Sequence, residues 1–287
     1  MTDWTEVLRD WRVGLGGLLL LVLMGVALAA PWLAPHDPNA QDLLWVLLPP
    51  SWAPGGDPAY LLGTDTLGRD VLSRLIWATR SAAYVAVLST IGAAVLGITL
   101  ALIAGYAGGV LDWIIMRAVE LLLSFPAVVF ALVLIAALGP GLENVIIAVI
   151  AVDWTRFARV LRSEVRQIKG RDYVAAARLM GATPLQVVLQ DVLPNIMPSI
   201  LMLVSLEMGG AVVAETIISF VSASAEADVP TWGVIIADGL SDIYATPAPV
   251  IAAVSSIVVF VLATILFSDG LRRRTDPRQI ERRGAAA

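Results

Sequence analysis

Glu207 and Glu215 sit in a stretch, Pro198 to Val221, that is otherwise apolar or uncharged. A carboxylate inside lipid costs a few kcal/mol, so it normally faces an interior cavity or a partner. Two chemistries suit this pair. Either they line a solute path or meet a substrate ammonium, or they hydrogen-bond within a subunit interface or one of them is protonated. Other reactive side chains are scarce. The chain has no cysteine, which leaves out thiol catalysis, disulfides and thiolate metal sites. His36 is the one histidine, so no imidazole pair can hold a metal. Lys169, the one lysine, reads Ile168-Lys-Gly-Arg171 and lies in no Gly-x-x-x-x-Gly-Lys-Ser/Thr loop, so no cradle for ATP phosphates is recognisable. Gly105, Gly108 and Gly109 read as packing or turn residues, because no strand precedes them. Neither a catalytic residue nor a metal ligand emerges.

The remaining chemistry is docking. Asp172 to Gly181 is rich in helix formers, and Tyr173, Ala176, Ala177 and Met180 share one face at helical spacing. Asp172 suits the positive end of the helix dipole, and Gly181 stands where a left-handed cap belongs. A second short helix follows. Thr183 and Gln186 form a capping box, Pro184 suits the first turn, Leu185, Val188, Leu189 and Val192 make the apolar face, and Pro194 discourages continuation. A helix resting on lipid shows large apolar anchors. The small face of Ala176 and Ala177 instead permits close approach by a partner protein.

The elements that position these residues are membrane spans. Only 15% of the 287 residues are charged, and the mean hydropathy is +0.82. A soluble domain carries roughly 25% charged residues. A span takes ~20 apolar residues, and six stretches qualify: Val13 to Ala34, Ser81 to Tyr106, Trp113 to Leu138 with Pro126 kinking it, a shorter Asn144 to Leu161, Pro198 to Val221, and Val250 to Phe267. The first reads as a retained span rather than a cleaved leader, because its flank is mixed in sign and its apolar run is long. Of the nineteen basic residues, all but Arg69, Arg74 and Arg80 fall on one side if both termini are cytoplasmic. The division is then a cytoplasmic tail over 1–12, a first span over 13–34, a periplasmic loop over 35–80, a five-helix core over 81–271 with a cytoplasmic loop over 162–197, and a cytoplasmic tail over 272–287. A net charge of −5 gives no basis for nucleic-acid binding.

The 162–197 loop resembles the "EAA" motif of bacterial ABC importer permeases: Glu-Ala-Ala, three residues, Gly, nine residues, then hydrophobic-x-Leu-Pro. Here it runs Ala175-Ala176-Ala177-Arg-Leu-Met-Gly181, then nine residues, then Asp191-Val192-Leu193-Pro194. The usual Glu is Ala175 and the usual hydrophobe is Asp191. The first change removes a carboxylate able to pair with a basic residue on an ATPase. Leu33-Ala-Pro-His-Asp-Pro-Asn39 and Leu62-Gly-Thr-Asp-Thr-Leu-Gly-Arg-Asp-Val-Leu-Ser-Arg74 resemble the C-type subunit of dipeptide/oligopeptide/nickel permeases. So do Ser124-Phe-Pro126, Leu138-Gly-Pro-Gly141, Ala214-Glu-Thr-Ile-Ile-Ser-Phe220, Pro230-Thr-Trp-Gly233 and Asp269-Gly-Leu-Arg272. A Gly-rich stretch usual after Leu-Ser-Phe is replaced by Val221-Ser-Ala-Ser-Ala225 and then Glu226-Ala-Asp228, a more acidic rim.

The resemblance implies an all-α type I importer permease fold with cytoplasmic coupling helices, in the bacterial inner membrane. It implies four kinds of partner: a homologous B-type permease, two ATPase subunits that bind ATP and Mg, a periplasmic substrate-binding protein, and the bilayer. No cofactor is expected in this chain, nor is enzyme activity. Asp172, Ala175, Ala176, Ala177, Gly181, Leu193 and Pro194 are the expected ATPase-coupling contact, Glu207 and Glu215 the expected path residues, and Trp232 either a binding-protein contact or an interfacial anchor. The expected cargo is a peptide; chelated nickel, glutathione, an opine or an oligosaccharide are alternatives. A secondary transporter is the rival class, and it would show inverted repeats with broken helices.

Overall fold

The computed structural model describes residues 10–222 and 229–275. Residues 1–9, the 223–228 part of the acidic rim with Glu226 and Asp228, and Arg278, Arg282 and Arg283 of the C-terminal tail lie outside the described residues. Apart from the non-helical 34–70 stretch and short connections, the described chain is helical, with α1 over Trp11–Leu33, α2 over Val71–Ala107, α3 over Gly109–Leu123, α4 over Ala127–Leu138 and α5 over Leu142–Lys169. These are followed by α6 over Asp172–Leu179, α7 over Pro184–Gln186, a π-helical turn over Val187–Val192, α8 over Leu193–Ser222, α9 over Trp232–Leu240 and α10 over Ala248–Thr275.

Among the described residues four apolar segments are long enough to cross a membrane: α1, α2, α7 running through α8, and α10. A fifth exists if α3 and α4 are one span, but they meet at 90°. The Trp113 to Leu138 stretch is therefore two helices joined at a sharp break, one broken span or a re-entrant pair, and not one gently kinked helix. Pro126 lacks an N–H and holds Phe125 away from the α region, and Ser124 closes the preceding turn on Glu120. The expected fourth span is α5, whose 28 residues reach ~42 Å. It is long enough to cross, but its Asp153, Arg156, Arg159, Arg162, Glu164 and Arg166 make it far more charged than its neighbours.

The core forms where α2 packs along α5. With no hydrophobic drive between helices in lipid, close approach of small residues supplies the attraction. Ala93, Ala94, Ala101 and Ala104 are buried on α2. A Cβ on Gly97 would stand 2.5 Å from both the Trp154 carbonyl oxygen and the Phe157 Cβ, and one on Gly105 would stand 2.7 Å from Val165. Gly108 and Gly109 take positive φ angles of 72° and 59° in the α2–α3 turn. Gly97→Val should therefore push α2 off α5, an overpacking cost of about 1–3 kcal/mol. The expected result is a thermal midpoint lowered by several degrees in the purified complex, while Gly14→Ala, whose Cβ meets nothing, leaves it unchanged.

The helix α2 begins at Val71 and not at Ser81, so the end of the expected 35–80 loop is helical. Asp70 caps it, accepting from the Ser73 backbone N–H at 3.0 Å. Just before it lies a buried ionic clasp. Asp65 accepts from Arg69 Nε at 2.7 Å and Arg74 Nη1 at 2.9 Å, while Asp238 on α9 accepts from Arg69 Nη2 at 3.0 Å. Burial pushes the Asp238 carboxyl above its usual range, opposed by Arg69 and reinforced by Asp65. Removing one partner of a buried pair costs about 3–5 kcal/mol. Asp65→Asn is accordingly expected to destabilise the protein strongly in chemical denaturation. Glu120→Gln, which breaks the exposed Arg117–Glu120 pair, should cost under ~1 kcal/mol.

Candidate functional site

Two places in the bundle combine accessibility with the residues singled out above. The first is the elbow between α5 and α8. The helix α6 ends as expected: Gly181 takes φ +95°, its N–H reaches the Arg178 carbonyl, and the Ala182 N–H closes on Ala177 at 3.0 Å. The capping box also forms, with Thr183 N–H donating to Gln186 Oε1 at 2.8 Å and Gln186 N–H to Thr183 Oγ1 at 3.3 Å.

The second corner helix does not stop at Pro194. It continues through Pro194 and Pro198 as α8. The widened turn over Val187–Val192, in which the Leu193 N–H reaches back to Val188, makes room for the proline ring and its missing donor. The Asn195 side chain then satisfies the Asp191 carbonyl at 2.6 Å. The buried face also differs from the expected one. Val187 and Val192 are enclosed, whereas Leu185 and Leu189 are exposed.

This arrangement gives the elbow a fixed back and an open front. Val174, Val187, Val192 and Ile196 join one buried cluster with Phe157, Leu161 and Val165 of α5. Arg178 lies over the Tyr106 ring at 5.0 Å, which ties α6 to the end of α2. On the front, Asp172, Ala175, Ala176, Gly181 and Pro194 are exposed, while Ala177 and Leu193 are half-buried. Leu179 and Met180 are 90% and 82% exposed. The elbow is packed at its back against α5, while apolar side chains at its front stay exposed.

The second place is a cavity of about 480 Å³ between α4, α5, α8 and α10. Its wall is mostly apolar, with Gly209, Gly210 and Thr264, and its charged groups are Asp153, Arg156 and Glu207. Arg156 Nη1 donates to Glu207 Oε2 at 2.9 Å. Arg156, whose charge was counted with the cytoplasmic side, thus belongs to the cavity wall. An Arg three residues after Asp153 inside an apolar run was the signal available in the sequence.

The two expected path residues part company. Glu207 is on the cavity wall, but Glu215 is fully enclosed and takes a hydrogen bond from Ser219 Oγ at 2.6 Å. Glu215 does not line the cavity, although its neighbours Val213 and Ala214 on α8 do. Trp232 is likewise fully buried, edge-on to Phe260 at 6.2 Å. It therefore presents no surface to a binding protein or to lipid. The cause is the close crossing of α9 over α8, where a Cβ on Gly233 would stand 2.3 Å from the Thr216 carbonyl oxygen.

An all-helical bundle of apolar spans, with a rigid exposed elbow and a cavity walled by a few charges, defines a multi-pass membrane transport subunit. The chain belongs to the binding-protein-dependent transport system inner membrane component family, whose model matches residues 97–280, and residues 4–50 match the N-terminal TM domain of oligopeptide transport permease C. It is 37% identical to the di/tripeptide transport system permease protein DppC of Pseudomonas aeruginosa, over 92% of this chain and 88% of that one. It is 34% identical to the nickel transport system permease protein NikC of Escherichia coli K12, over 94% and 95%. It is 33% identical to the glutathione transport system permease protein GsiD of Pectobacterium atrosepticum, over 96% and 90%. The chain is a permease subunit of an ABC importer in the inner membrane, of the C type found in the peptide and nickel systems.

Proposed function

We propose that this subunit carries peptides inward, after delivery by a periplasmic binding protein, beside a homologous B-type permease and above two ATPase subunits. The observation that carries this reading is the elbow, anchored at the back through Val174 and Val187 and open at the front through Leu179 and Met180. A rigid lever with an unpartnered apolar face suits the transfer of force from a nucleotide-hydrolysing neighbour. Orientation follows from charge. Arg12, Arg162, Arg166, Lys169, Arg171, Arg178, Arg272 and Arg273 gather at the elbow end, while Arg69, Arg74 and Arg80 lie at the other, so the elbow and both termini face the cytoplasm. ATP and Mg then bind on the partners, and closure of the ATPase pair draws the elbow inward and opens the cavity outward.

Among the described residues α3 and α4 form the one sharply bent pair, whereas a transporter built on inverted repeats would show two. Proteoliposomes holding both permeases and the ATPases, supplied with the binding protein, are expected to accumulate dialanine only when ATP is present. Ionophores that collapse proton and sodium gradients should leave that accumulation intact. Uptake that follows the gradients instead would overturn the reading.

A further inference from the structure

Charge does not balance on the cavity wall. Arg156 is committed to Glu207 at 2.9 Å. Asp153, one turn earlier on α5, is 8% exposed and has no hydrogen-bond or salt-bridge partner among the described residues. Two carboxylates therefore share one guanidinium, and the surplus negative charge faces a space of about 480 Å³. A buried carboxylate without a partner is costly, and a cation placed against it would offset that cost. Glycines at 209 and 210 keep the α8 wall low. Fewer than three metal-ligating side chains gather here, so a divalent cation would be poorly held. A single ammonium, which needs one carboxylate and an apolar surround, is well matched.

We propose that Asp153 recognises the ammonium group of a solute in transit. This rests on the cavity being part of the translocation path, and the two ideas can be tested separately. The chain has no cysteine, so Val213→Cys places a single thiol of this chain on the cavity wall. The complete transporter is reconstituted and its thiol modified with methanethiosulfonates of similar size bearing either trimethylammonium or sulfonate. The unsubstituted transporter serves as the blank. Reagents are added from either side, in the nucleotide-free state and in the vanadate-trapped state.

If the cavity lies on the path, the side from which the thiol reacts switches with the nucleotide state. If Asp153 favours ammonium, the cationic reagent reacts faster relative to the anionic one than it does with a free thiol in solution. A unit charge ~10 Å away at an effective permittivity of ~20 alters each rate by roughly tenfold. Asp153→Asn should lower the rate ratio by about the square of that factor, roughly a hundredfold, and Asp153→Glu should keep it. A thiol that switches sides without cationic preference overturns the ammonium inference alone. That would be the outcome if a basic residue of the neighbouring permease filled the cavity. A thiol that never switches overturns the path itself. The preference in the parent with Asp153 intact needs no second substitution, so a poorly folding variant leaves the test decisive.

Discussion

Gly181→Leu is expected to abolish uptake while leaving the protein inserted and assembled with its partner permease. At φ +95° a side chain other than Gly is strained by about 1–2 kcal/mol. A Cβ there would meet nothing within 4 Å in this chain. The core is therefore undisturbed, and the damage falls on the angle between α6 and α7 and on the face offered to a partner. Gly181→Asn should retain much of the activity, because Asn tolerates a left-handed backbone far better than branched or bulky residues do. Uptake and binding-protein-stimulated ATP hydrolysis are the two readouts. Both fall together in Gly181→Leu if the elbow transmits force. Normal uptake by Gly181→Leu would refute the coupling role.

Arg156→Met is expected to be more damaging to the protein itself. It strands Glu207, which is 3% exposed, beside Asp153 with no cation between them. Breaking such a pair costs about 3–5 kcal/mol, whereas replacing both partners by apolar groups of similar size is often neutral. Assembly measured by co-purification should therefore collapse in Arg156→Met and recover in Arg156→Met combined with Glu207→Leu. If the pair only supports the bundle, uptake recovers along with assembly. If the pair lines the path, assembly recovers and uptake stays low. Glu215→Gln supplies the contrast: Glu215 is enclosed, so its loss should be felt as stability and not as altered transport once the protein has assembled.

The elbow was the most legible part of the chain. Gly181, Thr183 and Gln186 act through local backbone hydrogen bonds, and local rules place them correctly. Pro194 misled because a proline can be accommodated by a widened turn upstream, and that turn is stabilised by tertiary burial of Val187 and Val192, which no local rule contains. The early start of α2 was hidden for a related reason. Arg74 and Arg80 look like loop residues in a hydropathy window, yet Arg74 is buried in a clasp whose second carboxylate, Asp238, lies far along the sequence. The cavity was only half legible. Glu207 stood out as a charge among apolar residues, but its partner Arg156 was counted only as a cytoplasmic-side charge, because pairing across 51 positions follows from the packing of α5 on α8. Trp232 was misread because an aromatic residue beside a glycine suits an interface as well as it suits a tight helix crossing.

The central claim, that force from nucleotide hydrolysis enters through the elbow, is tested most directly by cross-linking. The absence of cysteine from the chain makes Leu179→Cys a clean anchor, and Leu179 is 90% exposed. In the assembled transporter the account predicts a covalent adduct between that thiol and an ATPase subunit, with a yield that changes between the nucleotide-free and vanadate-trapped states. A thiol modified by membrane-impermeant reagent from the periplasmic side, or one that yields no ATPase adduct in any state, would contradict it.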